Sequence, residues 1–224
     1  MIDTLGSVLP NAVGIAISPL PIIAVILMLM SPRSKQLGLG FLVGWFVGIF
    51  IATTVFTLLA GVIPEPDATG ESQPVIGVIQ VVLGLLLLLL AIKQWRSRPS
   101  EGEQAALPPW MSKIDSLRPL PAMGLAFALA AVNPKNLLMS AAAGTVIGRA
   151  SADLATQLVT VAIFTVIAAM SVAVPVIFAV VAPLKAAAAL TSLRTWLTAN
   201  NATIMAVLLV MLGSQVLGKG LGNF

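Results

Sequence analysis

The feature that most narrows what this chain can fold into is a recurrence of apolar runs of 18 or more residues. Each is long enough to cross about 30 Å of hydrocarbon as a helix. Open strands and loops cannot pair their own backbone groups in lipid, so such runs are expected to be helical. Six spans are expected, at roughly 5–30, 38–63, 74–94, 121–148, 153–182 and 200–219. The fifth run is long, and Pro175 and Pro183 are expected to kink and end it. Charge content agrees: 9% of residues are charged, against about 25% in soluble domains, and mean hydropathy is +1.05. The expected fold class is an all-α integral membrane protein. The N-terminal MIDTLGSVLPNAVG has no basic segment, so it reads as the start of the first span and not as a cleaved signal.

Two absences narrow the chemistry. The chain has no Cys and no His. Disulfides, thiolate metal sites, imidazole bases and imidazole ligands are therefore excluded. No catalytic constellation, metal site or cofactor is expected, and the chain reads as a non-enzyme. The net charge of +4 is attributed to loops facing anionic lipid and not to nucleic acid.

The twelve Lys and Arg residues then orient the spans. Arg33, Lys35, Lys93, Arg96, Arg98, Lys113, Arg118, Lys185 and Arg194 fall in loops 1–2, 3–4 and 5–6, on one side. Arg149 and Lys219 fall on the other, and Lys135 lies within a span. Basic loops stay cytoplasmic, so the expectation is a multi-pass protein of the plasma (inner) membrane with both termini outside. The acidic 2–3 loop, with Glu65, Asp67 and Glu71, agrees. The polar segment at 95–120 reads as a cytoplasmic linker between two three-span halves, 1–94 and 121–224. Loop 5–6 carries Leu190, Leu193 and Leu197 at helical spacing beside Trp196. It reads equally as an amphipathic surface helix or as a continuation of a neighbouring span.

The halves are related. Superposing Pro19 on Pro134 aligns Ser18-Pro19-Leu20-Pro21 with Asn133-Pro134-Lys135-Asn136, and the second span falls on the fifth. Three spans is an odd number, so the halves must be inverted, a pattern common in transporters. Each Pro lies near the middle of its span, where it removes a helical hydrogen bond. The first and fourth helices are expected to break there, and matched breaks point to a site near the midplane. Lys135 is the one cation placed deep in a span, and no acid lies at similar depth. Asn133 and Asn136 flank it and Ser18 lies opposite. Together with Pro19, Pro21 and Pro134 they form the candidate substrate site, suited to phosphate, sulfate or carboxylate. The bland alternative has Lys135 bonding carbonyls of the broken first span and pinning the halves together. The absence of intramembrane acids disfavours transport of cations.

Gly40, Gly44, Gly48 and Ala52 recur every four residues on the second span, and Ala122, Ala126, Ala130, Gly144 and Gly148 mark similar faces on the fourth. Close intramolecular packing is the default reading, with a homodimer seam through Gly40, Gly44 and Gly48 as the alternative. Phe41, Trp45, Phe46, Phe50 and Phe56 are expected to meet lipid. Trp95, Trp110 and Trp196 are expected near the cytoplasmic interface.

With Ile17-Ser18-Pro19-Leu20-Pro21 opening one half and Asn133-Pro134-Lys135-Asn136 the other, the chain resembles the lysine-exporter (LysE) superfamily. Within it, the likeness is to the Sap/GAP branch of sulfolipid- and peptidoglycolipid-addressing proteins. The resemblance spans essentially the whole chain. It implies a membrane transporter or flippase that moves an anionic or glycosylated cell-envelope lipid toward the outer surface, with the lipid or glycolipid and the surrounding membrane lipids as partners. Export of a small solute, or an accessory role in lipid synthesis, is the alternative.

Overall fold

The computed structural model describes residues 1–60, 74–98, 117–150, 153–222 and 224. The acidic 2–3 loop and most of the 95–120 linker, including Trp110 and Lys113, lie outside the described residues. Among the described residues there are eight α-helices and no strand. They are α1 (Ile2–Ala16), α2 (Pro19–Leu29), α3 (Ser34–Leu59), α4 (Pro74–Arg96), α5 (Pro119–Ala131), α6 (Pro134–Ala150), α7 (Leu154–Val181) and α8 (Pro183–Leu221). Three of them, α3, α7 and α8, are long and apolar enough to cross a membrane. The number rises to five if α1 with α2 and α5 with α6 each make one bent span, with bends of 55° and 63°.

Proline sets several boundaries. Pro19, Pro119, Pro134 and Pro183 each begin a helix, where the missing N–H costs nothing because first-turn N–H groups have no intrahelical partner. Pro183 therefore separates α7 from α8, as expected. By contrast, α7 runs through Pro175 to Val181 without ending. Asp153 caps α7, its carboxylate accepting from Thr156 N at 2.8 Å and Thr156 Oγ1 at 2.6 Å. Those two bonds hold its carboxyl below the usual range. Loop 5–6 is wholly helical and continuous with the sixth apolar run in the 39-residue α8. Of its apolar residues, Leu190 and Leu197 are buried while Leu193 and Trp196 are exposed.

The chain divides into two compact units. One comprises residues 1–63 and 107–195, the other 64–106 and 196–224. In the first unit, α3 packs on α5, α6 and α7, while α1 packs on α6 and α7. The second span thus meets both halves of the fourth, and the fifth meets the first. In the second unit α4 lies against the C-terminal part of α8, where a Cβ on Gly84 would stand 2.8 Å from Leu217 N.

The glycine faces account for the closeness of α3 to its neighbours. A Cβ on Gly44 would overlap the Met123 carbonyl of α5, and one on Gly48 would stand 2.7 Å from Ala130 Cβ. Gly40 faces Pro119 in the same way, at 2.9 Å from its carbonyl oxygen. The stripe proposed as a possible dimer seam is therefore turned inward onto the chain's own α5. On α6, a Cβ at Gly144 would lie 2.7 Å from Thr53 O of α3. One expectation is corrected here. Phe41 and Trp45 do not meet lipid: both are fully buried, because the glycine face turns the adjoining aromatic positions of α3 into the bundle. Phe46 and Phe50 stack with centroids 6.5 Å apart and are half-buried.

Gly44→Ala should destabilise the protein by about 1–3 kcal/mol, since the obstacle is backbone that must shift. Gly124→Ala, with nothing within 4 Å of its Cβ, should be neutral or stabilising by up to about 1 kcal/mol. Unfolding of both variants in detergent checks the pair.

Candidate functional site

The first break lies between α1 and α2. Ile17, with φ −78° and ψ 69°, is the centre of an inverse γ-turn, closed by Ser18 N–H donating to Ala16 O at 2.8 Å. In an unbroken helix, the carbonyls of Gly14, Ile15, Ala16 and Ile17 would accept from residues 18 to 21. Pro19 and Pro21 have no N–H, and Ser18 N has turned to Ala16. The break therefore leaves Gly14 O, Ile15 O and Ile17 O without their usual helical donors. A buried carbonyl left unpaired costs about 1–3 kcal/mol.

Lys135, in the first turn of α6, supplies Gly14 O and Ile17 O. Its Nζ donates to Gly14 O at 2.6 Å, to Ile17 O at 2.9 Å and to Ser18 Oγ at 2.7 Å. An ammonium has three donors, and these three bonds use them all. The acceptors are neutral oxygens. The charge is met by the negative end of the α1 dipole, and Lys135 is buried.

The second break, between α5 and α6, is repaired by the adjacent residue. Asn136 Nδ2 donates to Leu129 O, near the end of α5, at 3.0 Å. Asn136 Oδ1 accepts a longer bond, 3.4 Å, from Ser18 Oγ. Asn133 holds the start of α6, its Oδ1 accepting from Lys135 N at 3.0 Å, an ordinary N-cap arrangement. Neighbouring residues of α6 thus close the ends of two different helices, and Ser18 connects them.

The structure brings Ser18, Lys135 and Asn136 into one buried network, with Asn133 half-buried at its edge. Pro19 and Pro21 are buried beside it, whereas Pro134 is exposed. Pro134 therefore shapes the backbone and faces away from the cluster. The pinning alternative expected carbonyls of the first span as partners of Lys135; they are Gly14 O and Ile17 O, and Leu129 O joins them as the partner of Asn136. Counting which carbonyls lose donors to Pro19 and Pro21 identifies Ile15 O and Ile17 O, of which Lys135 takes the second. Gly14 O and Leu129 O depend on the turn geometry.

Removing the network should be costly and non-additive. Lys135→Met strands two carbonyls and should destabilise by about 2–6 kcal/mol, at about 1–3 for each. Ser18→Ala should cost less alone, and the pair should show a coupling of about 0.5–3 kcal/mol. A double-mutant cycle on thermal unfolding in detergent measures this coupling, and strict additivity would refute the network.

No curated protein and no solved structure matches the chain. A family model described as Sap, sulfolipid-1-addressing protein, matches residues 8–222. That match takes in the whole Lys135 network and nearly the full length, so the chain belongs to the family of Sap, sulfolipid-1-addressing, proteins.

Proposed function

We propose that this chain is a non-enzymatic transporter or flippase of the plasma membrane, a member of the LysE superfamily. It would move an anionic or glycosylated envelope lipid toward the outer surface. Membership of a family named for addressing a sulfolipid supports the substrate class. The single observation that carries the mechanism is the pair of broken helices, bent by 55° and 63° and joined through one lysine.

Six spans as two inverted triplets complete the reading. Packing in the first unit is reciprocal, second span on fourth and fifth on first, as an inverted repeat requires. The units also divide each half alike, two spans to one and the third to the other. The 23-residue α4, about 34 Å long, supplies the remaining span.

The site acts by exchange. A sulfate or phosphate is a stronger partner for an ammonium than a neutral carbonyl. A headgroup reaching Lys135, with Asn133 and Asn136 beside it, would take donors from Gly14 O and Ile17 O. That would release the α1–α2 joint and let one triplet rock against the other. The acyl tails would remain in the bilayer.

Two experiments test this reading. The chain has no Cys, so single introduced cysteines report topology. Asp67→Cys should label from outside intact cells, and Ser112→Cys only after permeabilisation. In vesicles, wild-type protein should exchange a labelled sulfated glycolipid between leaflets. Folded Lys135→Gln should slow that exchange by about tenfold or more, the equivalent of one charge-assisted bond. Exchange unchanged in Lys135→Gln would sink the headgroup role. Transport of a soluble anion without lipid exchange would favour a small-solute exporter.

The saturation of the Lys135 donors favours one second reading, an accessory membrane protein in which the lysine is a permanent pin. Under it Lys135→Gln loses stability, yet the wild type shows no lipid exchange.

A further inference from the structure

The second unit contains an apolar slot between α4 and α8. Its volume is about 330 Å³. Ala91 and Ala206 form its floor, both 2% exposed. Their small side chains leave the groove between the helices unfilled. Ile92, Val207, Val210 and Met211 form its walls, and Trp95 and Arg96 stand at its mouth. On α4 the lining runs only from Ala91 to Arg96, about 7.5 Å along the axis, so the slot lies just beneath the end of the helix.

The Arg98 guanidinium lies 3.5 Å over the Trp95 ring, and Arg98 Nε donates to Trp95 O at 2.8 Å. Lys93, Arg96 and Arg98 are all exposed around this end of α4. An indole held beside a cluster of cations, above an alkyl-sized slot, matches the layers of a lipid monolayer: hydrocarbon below, interface above.

We propose that this slot binds one molecule of an anionic phospholipid, drawn from the leaflet facing the Arg96 end of α4. One acyl chain lies over Ala91 and Ala206, held by dispersion contacts. The phosphate accepts charge-assisted hydrogen bonds from the Arg96 guanidinium. Lys93 and Arg98 add attraction for a net negative headgroup and repel the ammonium of a zwitterionic one. The site lies at a helix end in a different unit from the Lys135 network, which fits a resident lipid and not a cargo in passage. It rests on membrane embedding alone and stands or falls apart from the transport reading.

Native mass spectrometry of the full chain in mild detergent tests it, with phosphatidylglycerol and phosphatidylcholine of identical acyl chains as probes. One phosphatidylglycerol should survive activation that strips phosphatidylcholine. Arg96→Gln should lower its retention about tenfold, while Arg96→Lys should keep most of the preference. Val210→Trp, filling the slot from its wall, should weaken both lipids. Lys35→Gln, an exposed cation of the other unit, should change nothing. Equal retention of the two lipids, or retention unchanged in Arg96→Gln, would overturn the site. Capture of a sulfated glycolipid in preference to phosphatidylglycerol, or a lipid-free dimer broken by Val210→Trp, would overturn the assigned occupant.

Discussion

Backbone carbonyls deprived of their donors inside a bilayer are the constraint on which the rest of this structure depends. Pro19 and Pro21, two residues apart, strip two donors from one turn and the first helix breaks there, and hydrocarbon offers no water to repair the damage. The repair comes from the Lys135 ammonium, reaching from α6 to Gly14 O and Ile17 O of α1. Asn136, next along the chain, repairs the end of α5 at Leu129 O. The broken first helix therefore depends on the second half of the chain for its hydrogen bonding, whereas the break at α5 is closed from within its own half. A lysine is costly to bury, but one that meets two stranded carbonyls and the end of a helix dipole offsets much of that cost.

Such repair demands close backbones. Lysine has a long stem, but Asn136 and Ser18 are short and reach only if α6 stands near both α1 and α5. Gly14 keeps α1 close to α6, where a Cβ would stand 3.1 Å from Met139 Sδ, while Gly44 against Met123 and Gly144 against Thr53 seat α5 and α6 on α3. Apolar attraction does little to join helices in lipid, so close approach and hydrogen bonds between helices have to hold them. The glycine faces and the polar junction are two parts of one solution.

Much of this was legible in the residue order. The Pro motifs marked both breaks, and the family resemblance drawn from them agrees with the family found. The residues around Lys135 were identified as a cluster, and carbonyls of the broken first span were expected as its partners in the pinning alternative, as the structure has them; which carbonyls was not legible, because backbone atoms leave no mark in side-chain identity. The aromatic face of α3 was misread for a related reason. Hydropathy does not distinguish Phe41 and Trp45 in a bundle core from the same residues in lipid, since both surroundings are apolar. Loop 5–6 was ambiguous because a polar, helix-permissive segment supports either a surface helix or the extension seen in α8.

By itself, the sequence determined that this chain carries helices apolar enough for a membrane, and it marked Pro19 and Pro134 as the places where two of them break. Those conclusions follow from local rules: the length of apolar runs, the missing proline N–H and the absence of water in lipid. Only the tertiary structure decided which donor serves which broken end, that the Gly40–Gly48 stripe faces α5, and that Ala91 and Ala206 leave an apolar slot beneath Arg96. These depend on the spacing and rotation of helices far apart in sequence. In a chain whose inside and outside are both apolar, that arrangement has no hydropathy signal to announce it.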